Sequence, residues 1–169
     1  RSELDKVSGV FTGILYIGVP MMMFILIPFK DGEFNGLVLL CCFAVIWMSD
    51  AGAYMFGMLL GQKYGPKLCP TISPHKSWIG VLGGYAASVG TGIALGALGL
   101  LPYTLVQCFI LSSILCITGI FGDLIESVWK RHYGLKDSGN LIPGHGGMLD
   151  RFDSSLMAIP CAAIYLTLL

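Results

Sequence analysis

Charged side chains are scarce in this sequence: Asp, Glu, Lys and Arg make up 12% of its 169 residues, against roughly 25% in an ordinary soluble domain. Ten basic residues balance ten acidic ones, and no basic block is interleaved with aromatic residues. We therefore expect no nucleic-acid partner. The sequence also has no C-x-x-C pattern, and its six cysteines lie mostly in apolar runs. We interpret them as small hydrophobic residues and not as metal ligands.

Apolar residues are abundant instead, at 55% of the chain with a mean hydropathy of +0.78. A membrane span needs roughly 20 predominantly apolar residues. Four such runs occupy residues 10–28, 36–60, 78–101 and 103–128, and a shorter fifth occupies 154–169. The fifth run crosses a bilayer only if its helix begins earlier, near Asp150, or continues beyond the sequence. The pattern predicts an all-α integral membrane protein with a bundle of about five transmembrane helices.

The basic residues indicate the orientation of this bundle. Nine of the ten lie at the amino terminus or in the segments 61–77 and 129–153, and Lys30 is the exception. Five spans place those nine on one side, and Lys and Arg favour the cytoplasmic side. The two long polar segments are therefore expected in the cytoplasm. We expect residues 1–169 to form a single transmembrane catalytic domain, the C-terminal part of a longer enzyme.

One predicted span carries small residues at every fourth position: Gly80, Gly84, Ser88, Gly92 and Gly96. Such a stripe lets a neighbouring helix backbone approach closely. The sequence leaves two partners open, another helix of the same chain or a second copy in a homodimer.

Acidic residues in or beside the spans are candidate functional residues, because a charge at that depth is costly. Asp123, Glu126 and Lys130 share one helical face. The simpler interpretation of Glu126 and Lys130 is an ordinary ion pair at a helix end. Asp50 lines a cavity in the bundle or braces the polar site from a neighbouring span.

Asp150 and Asp153 have two interpretations. They are the N-cap and a first-turn acid of the last helix, or they hold a hard divalent cation against phosphate oxygens. Gly144, Gly146 and Gly147 precede them and let backbone amides approach an anion.

Permanent positive charge lies on the same side of the membrane as these acids. It comes from Lys76, Lys130, Arg131, Lys136 and Arg151. The sequence thus offers carboxylates for a metal and positively charged side chains for phosphate, without a Ser/His/Asp or Cys/His arrangement. This combination favours phosphoryl or nucleotidyl transfer over hydrolysis by a covalent nucleophile. His145 either donates a hydrogen bond or proton to a departing phosphate or has no role.

The segment SVWKRHYGLKDSGNLIPGHGGMLDRFD, residues 127–153, resembles the signature of the phosphatidate cytidylyltransferase, or CDP-diacylglycerol synthase, family. The segments SDAGAYMFG from Ser49, SPHKSWIG from Ser73 and GDLIES from Gly122 are similar to the same family. Members of that family usually carry additional amino-terminal helices.

The resemblance implies that CTP and phosphatidic acid react to give CDP-diacylglycerol and pyrophosphate at the bacterial inner membrane. It implies Mg²⁺ as cofactor, alone or with a second cation. The attacking phosphomonoester, with a second pKa of about 6, needs no general base. By similarity, Asp123 and Asp150 are metal ligands and Asp153 is a third acid. The remaining implied residues are catalytic Lys136 and His145, and substrate-binding Ser73, Lys76, Ser77, Lys130, Arg131 and Arg151.

Two other functions remain as alternatives. A CTP-dependent polyprenol or phytol kinase shares some short motifs but transfers the γ-phosphate to an alcohol. A transporter or channel would use Asp50, Asp123 and Glu126 to line an ion path, and it would conduct without nucleotide turnover.

Overall fold

The computed structural model describes residues 3–30, 33–62, 65–135, 138–139 and 147–169. Its helices are α1 (Glu3–Gly13), α2 (Val19–Met23), α3 (Gly36–Phe56), α4 (Trp78–Ala97), α5 (Leu105–His132) and α6 (Leu149–Thr167). A π-helical stretch, Ile14–Gly18, joins α1 to α2, and another, Gly57–Gly61, extends α3 at its carboxyl end. The prediction of an integral membrane protein built from helices is confirmed.

Within the described residues, four helical segments are long and apolar enough to cross a membrane: Lys6–Met23, Gly36–Gly61, Trp78–Ala97 and Leu105–His132. They correspond to the four long runs of the sequence. The fifth run belongs to α6, which begins at Leu149, as expected of a helix starting near Asp150. Its 19 residues span roughly 28 Å at about 1.5 Å per residue. This length approaches the roughly 30 Å hydrocarbon core only when the polar first turn is included.

The interior of the bundle is formed mainly by α3, α5 and α6. Its buried side chains include Val45 of α3, Leu111 and Leu115 of α5, and Leu156 and Ile159 of α6. Large apolar side chains such as Trp47, Leu82 and Phe121 are exposed on the outside. An apolar exterior around an apolar interior is the arrangement that a lipid environment requires, since lipid and core are equally apolar.

The small-residue stripe of α4 packs within the chain. A Cβ atom at Gly84 would lie 2.8 Å from the carbonyl oxygen of Ser49 and 3.0 Å from the Cβ of Ala53, both in α3. Farther along α4, the Ser88 hydroxyl donates to the carbonyl of Ser112 in α5 at 3.0 Å. These contacts account for the stripe inside one chain. The homodimer stays a prediction to which the stripe lends no support.

In the part of the chain that the structure describes, two short antiparallel hairpins join helices, and the sequence did not predict them. Phe29–Lys30 (β1) pairs with Glu33–Phe34 (β2), and Lys67–Cys69 (β3) pairs with Ser73–Ser77 (β4). The second hairpin lies in the segment that the sequence marked only as a polar loop. It ends at Ser77, whose hydroxyl accepts a hydrogen bond from the Gly80 amide at 3.2 Å and so caps α4.

Candidate active site

A cavity of about 860 Å³ lies between α3, the β3–β4 hairpin, α4, α5 and the first turns of α6. This volume falls within the range of small-molecule sites. Seven of the residues singled out in the sequence line it: Asp50, Ser73, Lys76, Ser77, Asp123, Asp150 and Asp153. The structure thus brings together acids and a lysine that are separated by up to a hundred positions in the chain.

Asp123 forms an ion pair with Lys76 of β4. Its other carboxylate oxygen accepts a hydrogen bond from Ser127 Oγ at 3.3 Å. The side chains of Lys76 and Asp123 are 26% and 31% exposed, and both line the cavity. The pair is therefore within reach of a ligand.

Asp150 lies in the first turn of α6 and accepts hydrogen bonds from four donors. Lys130 Nζ reaches one oxygen at 2.8 Å. The other oxygen accepts from the Ser138 amide at 2.9 Å, the Ser138 hydroxyl at 2.8 Å and the Gly147 amide at 2.7 Å. Burial opposes ionisation, but the bonds from Lys130, Ser138 and Gly147 outweigh it and hold the pKa of Asp150 well below its usual range.

Two consequences follow for Asp150. The N-cap of α6 is Met148, which has no capping side chain, so the prediction of Asp150 as N-cap is wrong. Its carboxylate instead joins the end of α5, the start of α6, Ser138 and Gly147.

Asp153 lies one turn further on, where Oδ1 accepts from the Ser154 amide at 2.6 Å. Burial, helped by the charge of Asp123, raises the pKa of Asp153.

Glu126 and Lys130 form the ion pair that the simpler interpretation predicts, with 3.3 Å between Oε2 and Nζ. The pair is not an ordinary exposed one, because the two side chains are 1% and 17% exposed. Oε1 of Glu126 is buried without a hydrogen-bond partner in the described part of the chain. Lys130 therefore connects a buried carboxylate of α5 to Asp150 of α6.

Two other predicted basic residues, Arg131 and Arg151, are not among the residues that line the cavity. Arg131 donates from Nε to the Ile72 carbonyl at 3.4 Å and from Nη1 to the Leu135 carbonyl at 3.3 Å. It thus holds the turn of the β3–β4 hairpin against α5. Arg151 is exposed at the start of α6. Lys136 and His145 lie outside the described residues, and their roles stay predictions.

Several cavity residues were not identified from the sequence as binding residues. They include Ser49, Tyr54, Gln62 and His75. Gln62 Nε2 donates to the His75 carbonyl at 3.0 Å, and Lys67 Nζ donates to Gln62 Oε1 at 2.7 Å. Three of the four were within the quoted segments SDAGAYMFG and SPHKSWIG, so the motifs carried a signal for them. Gln62 had none.

The cavity wall suits Mg²⁺ by donor chemistry. Mg²⁺ prefers oxygen ligands and takes one or two carboxylates together with water and substrate phosphate, and four aspartates line this cavity. Among the residues that the structure describes, no three His, Cys, Asp or Glu side chains are grouped as a ligand set. The carboxylates of Asp123 and Asp150 are each paired with a lysine.

Comparison with known proteins supports the resemblance that the motifs indicated. The sequence matches the Cytidylyltransferase family over residues 1–169. A phosphatidate cytidylyltransferase of Bacillus subtilis (strain 168) is 39% identical over 156 residues, covering 92% of this chain and 56% of that protein. Proteins of the same name from Staphylococcus haemolyticus (strain JCSC1435) and Staphylococcus aureus (strain COL) are 40% and 38% identical, with 90% of this chain and 56% of each relative covered.

The chain thus spans about half the length of the curated relatives that it matches, which are bacterial proteins. The family match itself extends over every residue of the sequence. The chain belongs to the cytidylyltransferase family.

Proposed function

We propose that this chain carries the site of a phosphatidate cytidylyltransferase. One observation carries the proposal: Lys76, Asp123, Asp150 and Asp153, from three separate segments, line one cavity inside a bundle of apolar helices. Cavity walls are where ionised side chains are tolerated at membrane depth. The relatives named phosphatidate cytidylyltransferase support the choice of CTP and phosphatidic acid as substrates.

In the proposed reaction, a phosphate oxygen of phosphatidic acid attacks the α-phosphorus of CTP. The bond from the α-phosphorus to the α,β-bridging oxygen breaks, and its electron pair leaves with pyrophosphate. The attacking oxygen is already ionised near neutral pH, so the main barrier is repulsion between two anions. Lys76 lines the cavity, and in this proposal it contacts a phosphate of CTP, so that its charge reduces the repulsion.

One or two of the carboxylates of Asp123, Asp150 and Asp153 would hold Mg²⁺, together with water and substrate phosphate. When bound there, Mg²⁺ would neutralise phosphate charge and stabilise the departing pyrophosphate. Lys130 and Ser138 keep the Asp150 carboxylate in place. Ser77 keeps the end of the hairpin joined to α4, and thereby positions the adjacent Lys76.

The proposal includes a location for the reaction. The segments 61–77 and 129–153, which contain the β3–β4 hairpin and the connection between α5 and α6, carry seven of the ten basic residues, which supports a cytoplasmic position for both. CTP would then enter the cavity from the cytoplasm, while the acyl chains of phosphatidic acid remain in the bilayer. In a bacterial cell this membrane is the inner membrane.

A turnover assay tests the function. Purified protein in liposomes receives CTP labelled at the α-phosphate, phosphatidic acid and Mg²⁺, and labelled CDP-diacylglycerol and released pyrophosphate are measured. We expect Asp123→Asn and Asp150→Asn, and chelation of the metal, to reduce the rate by roughly a hundredfold or more. Glu33→Gln changes an exposed acid of the β1–β2 hairpin and should leave the rate unchanged.

Two results would contradict the proposal. Full activity of both aspartate variants would show that the cavity acids have no part in the reaction. Transfer of label from the γ-phosphate of CTP to an added polyprenol, without formation of CDP-diacylglycerol, would identify a kinase instead.

A further inference from the structure

We propose that Lys76 is an internal counter-ion for Asp123 which makes binding of CTP and of the divalent cation cooperative. The identity of the nucleotide rests on the proposed function, whereas the pairing of the two side chains does not. Before any ligand is bound, each of the two charges already has a partner. Lys76 neutralises the carboxylate that a cation would use, and Asp123 neutralises the ammonium that a phosphate would use.

The surroundings of the two side chains make this exchange possible. Lys76 lies on β4 and Asp123 on α5, so the ion pair joins two separate elements across the cavity wall. Among the described residues, Asp123 is the one ion-pair partner of Lys76. Asp123 has in addition one hydrogen bond of 3.3 Å from Ser127. Apart from their attraction to each other, the two side chains are therefore held only weakly in place.

The other lysine and aspartate of the site are arranged differently. Lys130 contacts Asp150 and also Glu126, and it is not part of the cavity wall. Asp150 keeps three further donors besides Lys130. Of these two lysines, Lys76 is the one that lines the cavity into which a phosphate would enter. The structure therefore assigns the exchange of partners to Lys76 and Asp123 alone.

Cooperativity follows from charge balance. A nucleotide that binds alone must draw Lys76 away and leave the Asp123 carboxylate unpaired on a partly buried wall, which is unfavourable. A cation that binds alone leaves the Lys76 ammonium unpaired in the same way. When both bind, each charge gains a new partner. Such reciprocal coupling between two ligands typically amounts to 5–150-fold in affinity.

The test measures each ligand by itself in protein reconstituted into nanodiscs. Equilibrium dialysis with labelled CTP and EDTA gives nucleotide affinity without a divalent cation. Asp123→Asn removes the competing carboxylate, so we expect CTP to bind at least fivefold more tightly than to the wild type. Electron paramagnetic resonance of Mn²⁺ without nucleotide gives the cation affinity. Lys76→Gln should raise that affinity at least fivefold, because it removes the competing ammonium.

Glu33→Gln is the control in both measurements, and a wild-type elution profile in gel filtration selects the folded variants. Unchanged or weaker CTP binding by Asp123→Asn in EDTA would overturn the proposal, and so would unchanged Mn²⁺ binding by Lys76→Gln. In the double variant Asp123→Asn/Lys76→Gln, Mn²⁺ should improve CTP binding at least fivefold less than it does in the wild type. Retained coupling in that variant would place its origin elsewhere.

Failure of the proposed function gives a different result. A wild-type protein that binds no CTP even with Mg²⁺ would refute the assignment of the nucleotide. The Mn²⁺ measurement on Lys76→Gln would still test the ion pair, since no nucleotide is present. Pyrophosphate then replaces CTP as the anionic probe in the dialysis experiment.

Discussion

Replacement of Lys130 by Met should destabilise the protein far more than loss of an ordinary surface lysine. Lys130 is 17% exposed and lies between Glu126, which is 1% exposed, and Asp150. In the variant, Asp150 keeps three of its four donors, from Ser138 and Gly147. Glu126 loses the hydrogen bond from Lys130 to Oε2, and its Oε1 has no hydrogen-bond partner among the described residues. Removal of one partner from a buried ion pair costs about 3–5 kcal/mol, and we expect a loss in that range.

A second variant separates the buried charge from the other effects of the substitution. Glu126→Met/Lys130→Met leaves no unpaired charge, and hydrophobic replacement of a buried pair is often neutral. The remaining cost is the lost charged hydrogen bond to Asp150, about 1.5–3 kcal/mol. The double variant should therefore be about 2 kcal/mol more stable than Lys130→Met.

Reversible unfolding by SDS in mixed micelles measures these free energies. Lys6→Met is the matched control, because Lys6 also pairs with a glutamate on a helix, at 2.8 Å from Glu3, but with side chains 64% and 87% exposed. An exposed pair contributes at most about 1 kcal/mol. A loss of stability in Lys130→Met no greater than that in Lys6→Met would contradict the predicted cost of unpairing Glu126, and so would a double variant less stable than Lys130→Met.

Two further predictions concern packing and orientation. Gly84→Ala places a methyl group against Ser49 and Ala53 of α3 and should lower stability by about 1–3 kcal/mol; Gly90→Ala, where nothing lies within 4 Å, should be neutral or stabilising in the same unfolding assay. A Gly84→Ala protein as stable as Gly90→Ala would contradict the observed contact between α3 and α4. A membrane-impermeant maleimide should label Cys69 of the β3–β4 hairpin in inside-out vesicles and not in intact cells, with Cys69→Ser as control. Labelling from the outside would reverse the proposed topology.

The sequence was most informative where local pattern decides structure. Apolar runs of sufficient length can satisfy their backbone polar groups in a bilayer only as helices or closed barrels, and four of the predicted runs are helices of spanning length. The start of α6 also followed from length, because the last apolar run was too short without the turn that contains Asp150. The β3–β4 hairpin escaped prediction because its strands are short and lie beside apolar segments with much stronger patterns.

The pairings within the site could not be predicted, because they depend on how distant segments pack. Lys130 and Glu126 are four residues apart, and helical geometry alone placed them together. Lys76 and Asp123 lie on different elements, and nothing in the motifs indicated that they form a pair. Ser77 was interpreted as a binding residue, and it lines the cavity. The sequence did not indicate that its hydroxyl also accepts the hydrogen bond that caps α4.

The two lysines of the site show why residue type alone does not determine a role. Both Lys76 and Lys130 pair with an aspartate that lines the cavity, and the sequence assigned both to phosphate binding. Burial separates them: Lys130 also neutralises a glutamate that has almost no contact with solvent, so its displacement would leave a buried charge unpaired. Lys76 lies on the cavity wall with Asp123 as its ion-pair partner. A phosphate that enters the cavity can therefore replace Asp123 at Lys76 when a cation takes over the Asp123 carboxylate, whereas Lys130 remains bound to its two carboxylates and keeps Asp150 in position.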